Sequence, residues 1–235
     1  MPLKDGDFVL IDYTLKVKET SQVIDTTLED VAKEAGIHKP DRTYEPMLVV
    51  IGAGWVLKGL EERLKEMEVG EQKTVELPPE EAYGPRDPKK VIMLPAKVLS
   101  QKGMVPRVGQ RVQLEGLGWG TVRAVGSGRV QIDLNHPLAG KTLIYDVAVR
   151  AKIEEPVEKV RALIHRRLPL VPAENFEVEV GEEEITIKVP EEAFYVEGIQ
   201  VIKRGLASDI MRFFEGVKLV RFVEEFRKAE APSTS

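Results

Sequence analysis

The sequence predicts an α+β protein: an antiparallel sheet wrapped on one helix, with an inserted small β-domain and a C-terminal α/β module. Three observations carry this expectation. Residues 8–18 alternate, with Val9, Ile11, Tyr13, Leu15 and Val17 on one face and Asp12, Thr14, Lys16 and Lys18 on the other, as a half-buried strand does. Within residues 51–70, Leu57, Leu60, Leu64 and Met67 recur at spacings of three, four and three, the stripe of an amphipathic helix. Alternation returns in residues 142–152, after a segment with a separate pattern of short strands.

Taken in order, residues 20–22 are a turn and residues 23–27 a second strand, followed by a short helix and loop over residues 28–43. Met47-Leu48-Val49-Val50-Ile51 is strand-like and ends at Gly52 and Gly54, which permit a sharp turn. The helix that follows is expected to run for about three turns and to close at Gly70. Gly59 interrupts its first turn at a cost of ~1 kcal/mol against alanine, which points to a close contact there. Val75 and Leu77 resume an extended run, and residues 78–85 are a loop carrying Tyr83.

Residues 88–136 show Val112/Leu114, Thr121-Val122-Arg123-Ala124-Val125 and Val130/Ile132/Leu134, separated by glycine-rich turns, hence a small β-domain. Asn135-His136-Pro137-Leu138-Ala139-Gly140 turns the chain back, and Leu143, Tyr145, Val147 and Val149 complete the first sheet. Glu155-Pro156 marks a linker. Beyond it come a helix with Val157, Val160 and Ile164, a hairpin over residues 176–189, a helix over 199–214 and a last strand over 217–226. The expected units are residues 1–87 with 137–152, the insert 88–136, the C-terminal module 153–229 and a disordered tail, 230–235.

Composition narrows the function classes. With 34 basic and 39 acidic residues the net charge is −5, which argues against nucleic acid as a partner. There is no cysteine, so disulfides, thiol nucleophiles and thiolate metal sites are excluded. No apolar run approaches the ~18 residues of a membrane span. Asp5, Asp7 and Asp12 interrupt any signal-peptide core, so a cytoplasmic location is expected. His38, His136 and His165 are scattered without ligand spacing, so no metal is expected. Neither a nucleophile elbow nor a phosphate loop is present, and no cofactor is expected. What remains is a set of apolar and aromatic residues with a few hydrogen-bonding groups, a binding pocket by type. On the residues alone, plain core is the alternative reading of Val56, Leu57 and Leu60.

Several linked motifs resemble the FKBP-type peptidyl-prolyl isomerases, in the same order. They are Tyr13 on its strand, Val23-Ile24-Asp25-Thr26-Thr27, Gly52 followed by Trp55-Val56-Leu57-Lys58-Gly59-Leu60-Glu61, Val69-Gly70-Glu71, Ala82-Tyr83-Gly84 and Leu143-Ile144-Tyr145-Asp146-Val147. The insertion between Tyr83 and Tyr145 is similar to the insert-in-flap domain of SlyD-like members, and the added C-terminal module to the long archaeal forms. The resemblance spans about residues 4–152 and implies an FKBP-like sheet wrapped on one helix. It implies a pocket of Tyr13, Ile24, Asp25, Met47, Val56, Leu57, Leu60, Tyr83 and Tyr145. Ile24 and Met47 stand where many members have phenylalanine, and Leu60 where the floor is often tryptophan, which implies a softer pocket.

The implied substrates are unfolded or proline-containing polypeptides. The resemblance also implies a chaperone surface on the insert, for which Met93, Leu94, Leu99, Met104, Val105, Leu117 and Trp119 are the candidates. A core role within the insert is the alternative for those side chains. A holdase with incidental isomerisation and an RNA-binding module remain competing functions. The apolar width of the C-terminal helix and strand, including Ile202, Leu206, Ile210, Phe214, Leu219 and Phe222, leads to the expectation of a homodimer through this module.

Overall fold

The computed structural model describes residues 2–101 and 103–226; the tail expected to be disordered lies outside the described residues. In chain order the elements are β1 (Phe8–Val17), β2 (Val23–Thr26), α1 (Glu29–Glu34), β3 (Met47–Val50), α2 (Lys58–Lys65) and β4 (Gln72–Leu77). Next come β5 (Val91–Pro95), α3 (Ala96–Ser100), β6 (Arg111–Leu114), β7 (Gly118–Gly126), β8 (Arg129–Asp133) and β9 (Leu143–Ile153). The chain closes with α4 (Pro156–Arg167), β10 (Glu177–Val180), β11 (Glu184–Val189), α5 (Glu191–Phe194), α6 (Ile199–Phe213) and β12 (Leu219–Glu224).

The alternating strand β1 is the axis of the first sheet. One edge pairs antiparallel with β9, from Phe8↔Ile153 to Val17↔Leu143. Its other edge is shared by β3, through Phe8↔Val50, and β2, through Thr14↔Thr26. At the gap between those two strands Thr27 Oγ1 accepts from the Tyr13 N–H at 2.9 Å and donates to Asp12 at 2.8 Å. β4 pairs with the far side of β9. The inner face of β1 packs with Leu60, Leu64 and Met67 in one buried cluster. Leu64 is fully enclosed, and truncating it to alanine would cost roughly 2–5 kcal/mol.

The helix is shorter than its periodicity predicts. Gly52 (φ +82°) and Gly54 (φ +71°) hold the entrance as a loop, and their N–H groups donate to Glu61 Oε1 at 3.0 and 3.1 Å. That fastens the loop to the helix it precedes. Gly70 does not cap the helix, which already ends at Lys65; its N–H donates to the Val149 carbonyl at 2.8 Å. At Gly59 an added Cβ would stand 2.8 Å from Glu81 Cβ and 2.9 Å from Leu77 Cδ2. The close contact expected there is present.

Residues 91–133 form a separate antiparallel sheet in the order β5-β8-β7-β6, over a core of Leu99, Val112, Leu114, Val122, Val130 and Ile132. Three of these strands follow from the sequence pattern. β5 does not, because Val91-Ile92-Met93-Leu94-Pro95 is apolar throughout and shows no alternation of polar and apolar residues. The structure corrects one candidate for client binding here: Leu99 is fully buried, the centre of this small core rather than part of a surface. Leu94 and Met104 are half-buried against it, whereas Met93, Val105, Leu117 and Trp119 are exposed.

Where this sheet leaves the first one, Asp133 is buried and accepts from Arg86 Nη2 at 2.7 Å, Arg123 Nε at 3.2 Å and Asn135 Nδ2 at 2.8 Å. Burial alone would push its carboxyl up, but the Asn135 hydrogen bonds and the Arg86 cation outweigh this and hold it below the ordinary value.

The third sheet is mixed: β11 pairs antiparallel with β10 and parallel with β12. It shares a buried cluster with α4 and α6 that extends to Phe8, Leu48 and Val50 on the outer face of the first sheet. Phe8 meets Phe213 and Phe214 edge-on, with centroids 5.8 and 6.3 Å apart. This corrects the premise behind the expected dimer residues. Leu206 and Ile210 are buried inside the module, Ile202 and Phe222 are half-buried in the same cluster, and Phe214 lies on Phe8. Of those six only Leu219 is exposed. Part of the apolar surplus, Phe213 and Phe214, covers the neighbouring sheet of the same chain.

Candidate active site

The inner face of the first sheet ends in a cavity of about 320 Å³. β1 contributes Tyr13, β2 Asp25, β3 Met47, the glycine-bounded loop Val56 and Leu57, α2 Leu60, the loop after β4 Tyr83, and β9 Tyr145. These are eight of the nine residues expected from the sequence. Ile24 is the exception: it packs against the main core and does not line the cavity. The register of β2 against β1 is irregular here, Leu15 pairing with Asp25 and Lys16 with Val23, so Ile24 is the extra residue between them and Asp25 holds the place at the cavity. Leu15 and Trp55 line the cavity as well, and sequence reasoning passed over both.

Leu60 is the floor, only 1% exposed. The Tyr13 and Tyr145 rings form one wall, with centroids 5.8 Å apart. The Tyr13 hydroxyl donates to Asp25 Oδ2 at 2.6 Å. The other oxygen of Asp25 accepts from Arg42 Nη1, a residue absent from the sequence expectations. Burial and the Asp25 carboxylate both push the Tyr13 phenol above its ordinary value, so it stays protonated and keeps donating. Burial, reinforced by Tyr83, Tyr13 and Asp25, raises Tyr145 likewise. Tyr83 stands partly exposed at the mouth, its ring stacked on His136 at 3.9 Å.

The chemical character follows. Asp25 is held between a phenol and a guanidinium, so its charge is compensated and its geometry fixed. No second acid or base faces it across the cavity, and the remaining walls are apolar or aromatic. Among the described residues no group of three His, Asp or Glu could hold a metal, and no helix is long and apolar enough to cross a membrane. The cavity has the size and lining to take a compact apolar group, with polar contacts at its rim.

The family model described as FKBP-type peptidyl-prolyl cis-trans isomerase matches residues 1–150. The chain belongs to that family. A second model, described as FKBP26_C-terminal, matches residues 156–227, so the FKBP-type domain and the C-terminal module each have a recognised counterpart. The short-type peptidyl-prolyl cis-trans isomerase of Methanocaldococcus jannaschii is 40% identical over 148 residues, covering 63% of this chain and 92% of that protein. The SlyD protein of Treponema pallidum is 32% identical over 171 residues, covering 71% and 87%. The SlyD protein of Helicobacter pylori is 30% identical over 166 residues, covering 66% and 78%. This FKBP-type chain is accordingly a peptidyl-prolyl cis-trans isomerase, acting on proline-containing polypeptides.

Proposed function

We propose that isomerisation takes place in the cavity bounded by Tyr13, Asp25, Leu60, Tyr83 and Tyr145, with the prolyl ring seated on Leu60. The observation that carries this reading is the closed chain of hydrogen bonds from Tyr13 through Asp25 to Arg42 beside an otherwise apolar cavity. A site with its one carboxylate already paired is built for binding and polarity, not for proton transfer. That suits the reaction. Rotation about the amide has a barrier of ~18–20 kcal/mol because of C–N double-bond character, and unaided exchange takes tens to hundreds of seconds.

The planar amide is the more charge-separated form, since its resonance puts negative charge on oxygen. Apolar walls disfavour that form more than the twisted one, which has lost the resonance. Tyr83, at the mouth, donates its hydroxyl to the substrate carbonyl. Asp25 supplies a fixed acceptor edge.

A second activity belongs to the sheet of residues 91–133, where Met93, Val105, Leu117 and Trp119 are exposed, with Val108 and Val125 besides. Apolar side chains left in solvent on a small domain suit the holding of unfolded chain segments. The insert therefore acts as a chaperone surface that delivers clients to the cavity.

Both activities are tested together. Exchange catalysis on a short Ala-Pro peptide, read by NMR, reports the cavity. Refolding of a protein limited by a prolyl bond reports cavity and insert. Failure to accelerate the peptide would overturn the cavity assignment, and acceleration of the peptide without any gain on the protein would overturn the insert's role.

A further inference from the structure

A second cavity, of about 210 Å³, lies where α4 meets the loop before β3, with Leu10, Arg42, Glu45, Met47, His165 and Arg166 in its lining. The two cavities share a wall. Met47 lines both, and Trp55, which lines the first, carries the Arg166 guanidinium 4.0 Å above its ring. The C-terminal module holds this wall from the other side too: Phe213 meets Trp55 edge-on at 5.4 Å, and Arg212 donates to the Ala53 carbonyl at 3.1 Å.

The charges in the second cavity are unevenly matched. Arg42 is taken by Asp25, and His165 Nε2 lies 2.6 Å from Glu45 Oε1. Arg166 is part-exposed and enters no ion pair among the described residues; partial burial lowers its pKa, and the carboxylate of Asp209 opposes this from beyond ion-pair distance. A guanidinium stacked on an aromatic ring keeps its in-plane N–H donors available, and their fork matches a carboxylate. The volume holds one side chain and falls below the ~300–1,000 Å³ of cofactor-sized sites. Leu10 and Met47 offer an apolar surface for the methylenes of such a side chain.

We propose that the C-terminal module adds an acid-selecting subsite to the isomerase cleft, in which Arg166 pairs with an Asp or Glu side chain of the polypeptide a few residues from its proline. The proposal rests on the assignment of the isomerase cavity above. Extended chain advances ~3.3–3.6 Å per residue, so a substrate leaving the first cavity over Met47 reaches the second within a few residues. The FKBP-type domain alone lacks this subsite, because both His165 and Arg166 come from α4.

The test uses the full chain and Ala-Pro peptides carrying Glu, Gln or Lys at each of several positions on either side of the dipeptide. For the wild-type protein at low ionic strength, Glu should exceed Lys in kcat/KM by about fivefold at one or two positions, the scale of a partly exposed ion pair. The preference should shrink in about 0.5 M salt. Arg166→Gln should bring the ratio close to one, Arg166→Glu should reverse it and Arg166→Lys should keep its direction. Absence of any Glu preference in the wild-type protein, which needs no variant to measure, would overturn the subsite. So would a preference that survives both Arg166→Gln and Arg166→Glu. A wild-type protein that fails on the Gln peptides would instead overturn the cavity assignment, so the two failures are distinct.

Discussion

The imidazole of His136 lies flat on the ring of Tyr83, with centroids 3.9 Å apart and planes 9° from parallel. Tyr83 stands at the mouth of the cavity, and His136 begins the return from the insert's last strand to β9. One contact therefore joins a phenol at the mouth of the cavity to the segment through which the inserted sheet returns to β9.

This contact sets a pH limit. The Leu138 N–H donates to His136 Nδ1 at 3.2 Å, which requires a bare nitrogen there. Burial, with a smaller contribution from Arg111, lowers the His136 pKa below its ordinary 6.5. A lowered histidine pKa means that the fold favours the neutral ring. The stability it contributes is complete above the unfolded value and is lost as pH falls through the lower folded value. Tyr13 and Tyr145 stay protonated, so kcat/KM should be flat above pH 6.5, the ordinary histidine value, and decline only below it as His136 gains its proton. In His136→Phe, which keeps the stack without the proton, the acid limb should vanish. A wild-type profile with no acid limb at any pH where the protein stays folded would sever His136 from the site.

Tyr13, Asp25 and Arg42 should behave as one unit. Removing the Tyr13 hydroxyl deletes a hydrogen bond to a charged group, worth ~1.5–3 kcal/mol in stability, and leaves Asp25 held from one side only. Tyr13→Phe and Arg42→Ala should each lower kcat/KM several-fold, and the double variant should lose less than the product of the two. The check is a double-mutant cycle in the peptide assay. Strictly multiplicative losses would mean that the carboxylate does not couple its two partners.

Leu60 tests the seat of the prolyl ring. Leu60→Glu puts a carboxylate into an apolar floor that is 1% exposed, where it meets neither water nor a partner. Isomerisation should be abolished, whereas Leu60→Met, which nearly conserves volume, should cost less than ~1.5 kcal/mol in stability and keep most of the rate. Full activity in a folded Leu60→Glu protein would remove the ring from this position.

How legible these features were depends on what each residue answers to. Tyr13, Leu60 and Tyr145 lie on elements with a clean period of two or 3.6, so their inward direction could be read directly. Arg42 lies in an unpatterned loop and meets Asp25 only through the tertiary fold, so no spacing could have shown it. Ile24 does not line the cavity because the four-residue β2 carries an irregular register at that residue, which no period-two pattern shows. The surplus apolar width of α6 was visible in the sequence, but its destination was not. A signal for it exists: Phe8 and Leu10 begin the otherwise polar outer face of β1, and Leu48 and Val50 continue that apolar patch on the neighbouring strand. A sheet face that turns apolar at one end needs a cover, and here α6 supplies it.

The insert offers the last prediction. Its exposed Met93, Leu117 and Trp119 contribute little to its own core, so replacing all three by serine should leave the sheet folded. On the proposed reading, peptides of a few residues would reach the cavity without the insert, whereas an unfolded protein would do so less efficiently. Binding to the insert would hold its prolyl bonds near Tyr83 at high effective concentration, because the stack on His136 fixes the hinge beside the cavity. The triple variant should therefore lose roughly tenfold in accelerating protein refolding, while its peptide kcat/KM changes by less than about twofold. Refolding yields at rising client concentration should fall with it, since the proposed surface would shield the client chain from self-association. Equal losses on peptide and protein would mean that the serines disturbed the cavity and that the insert has no separate role with clients.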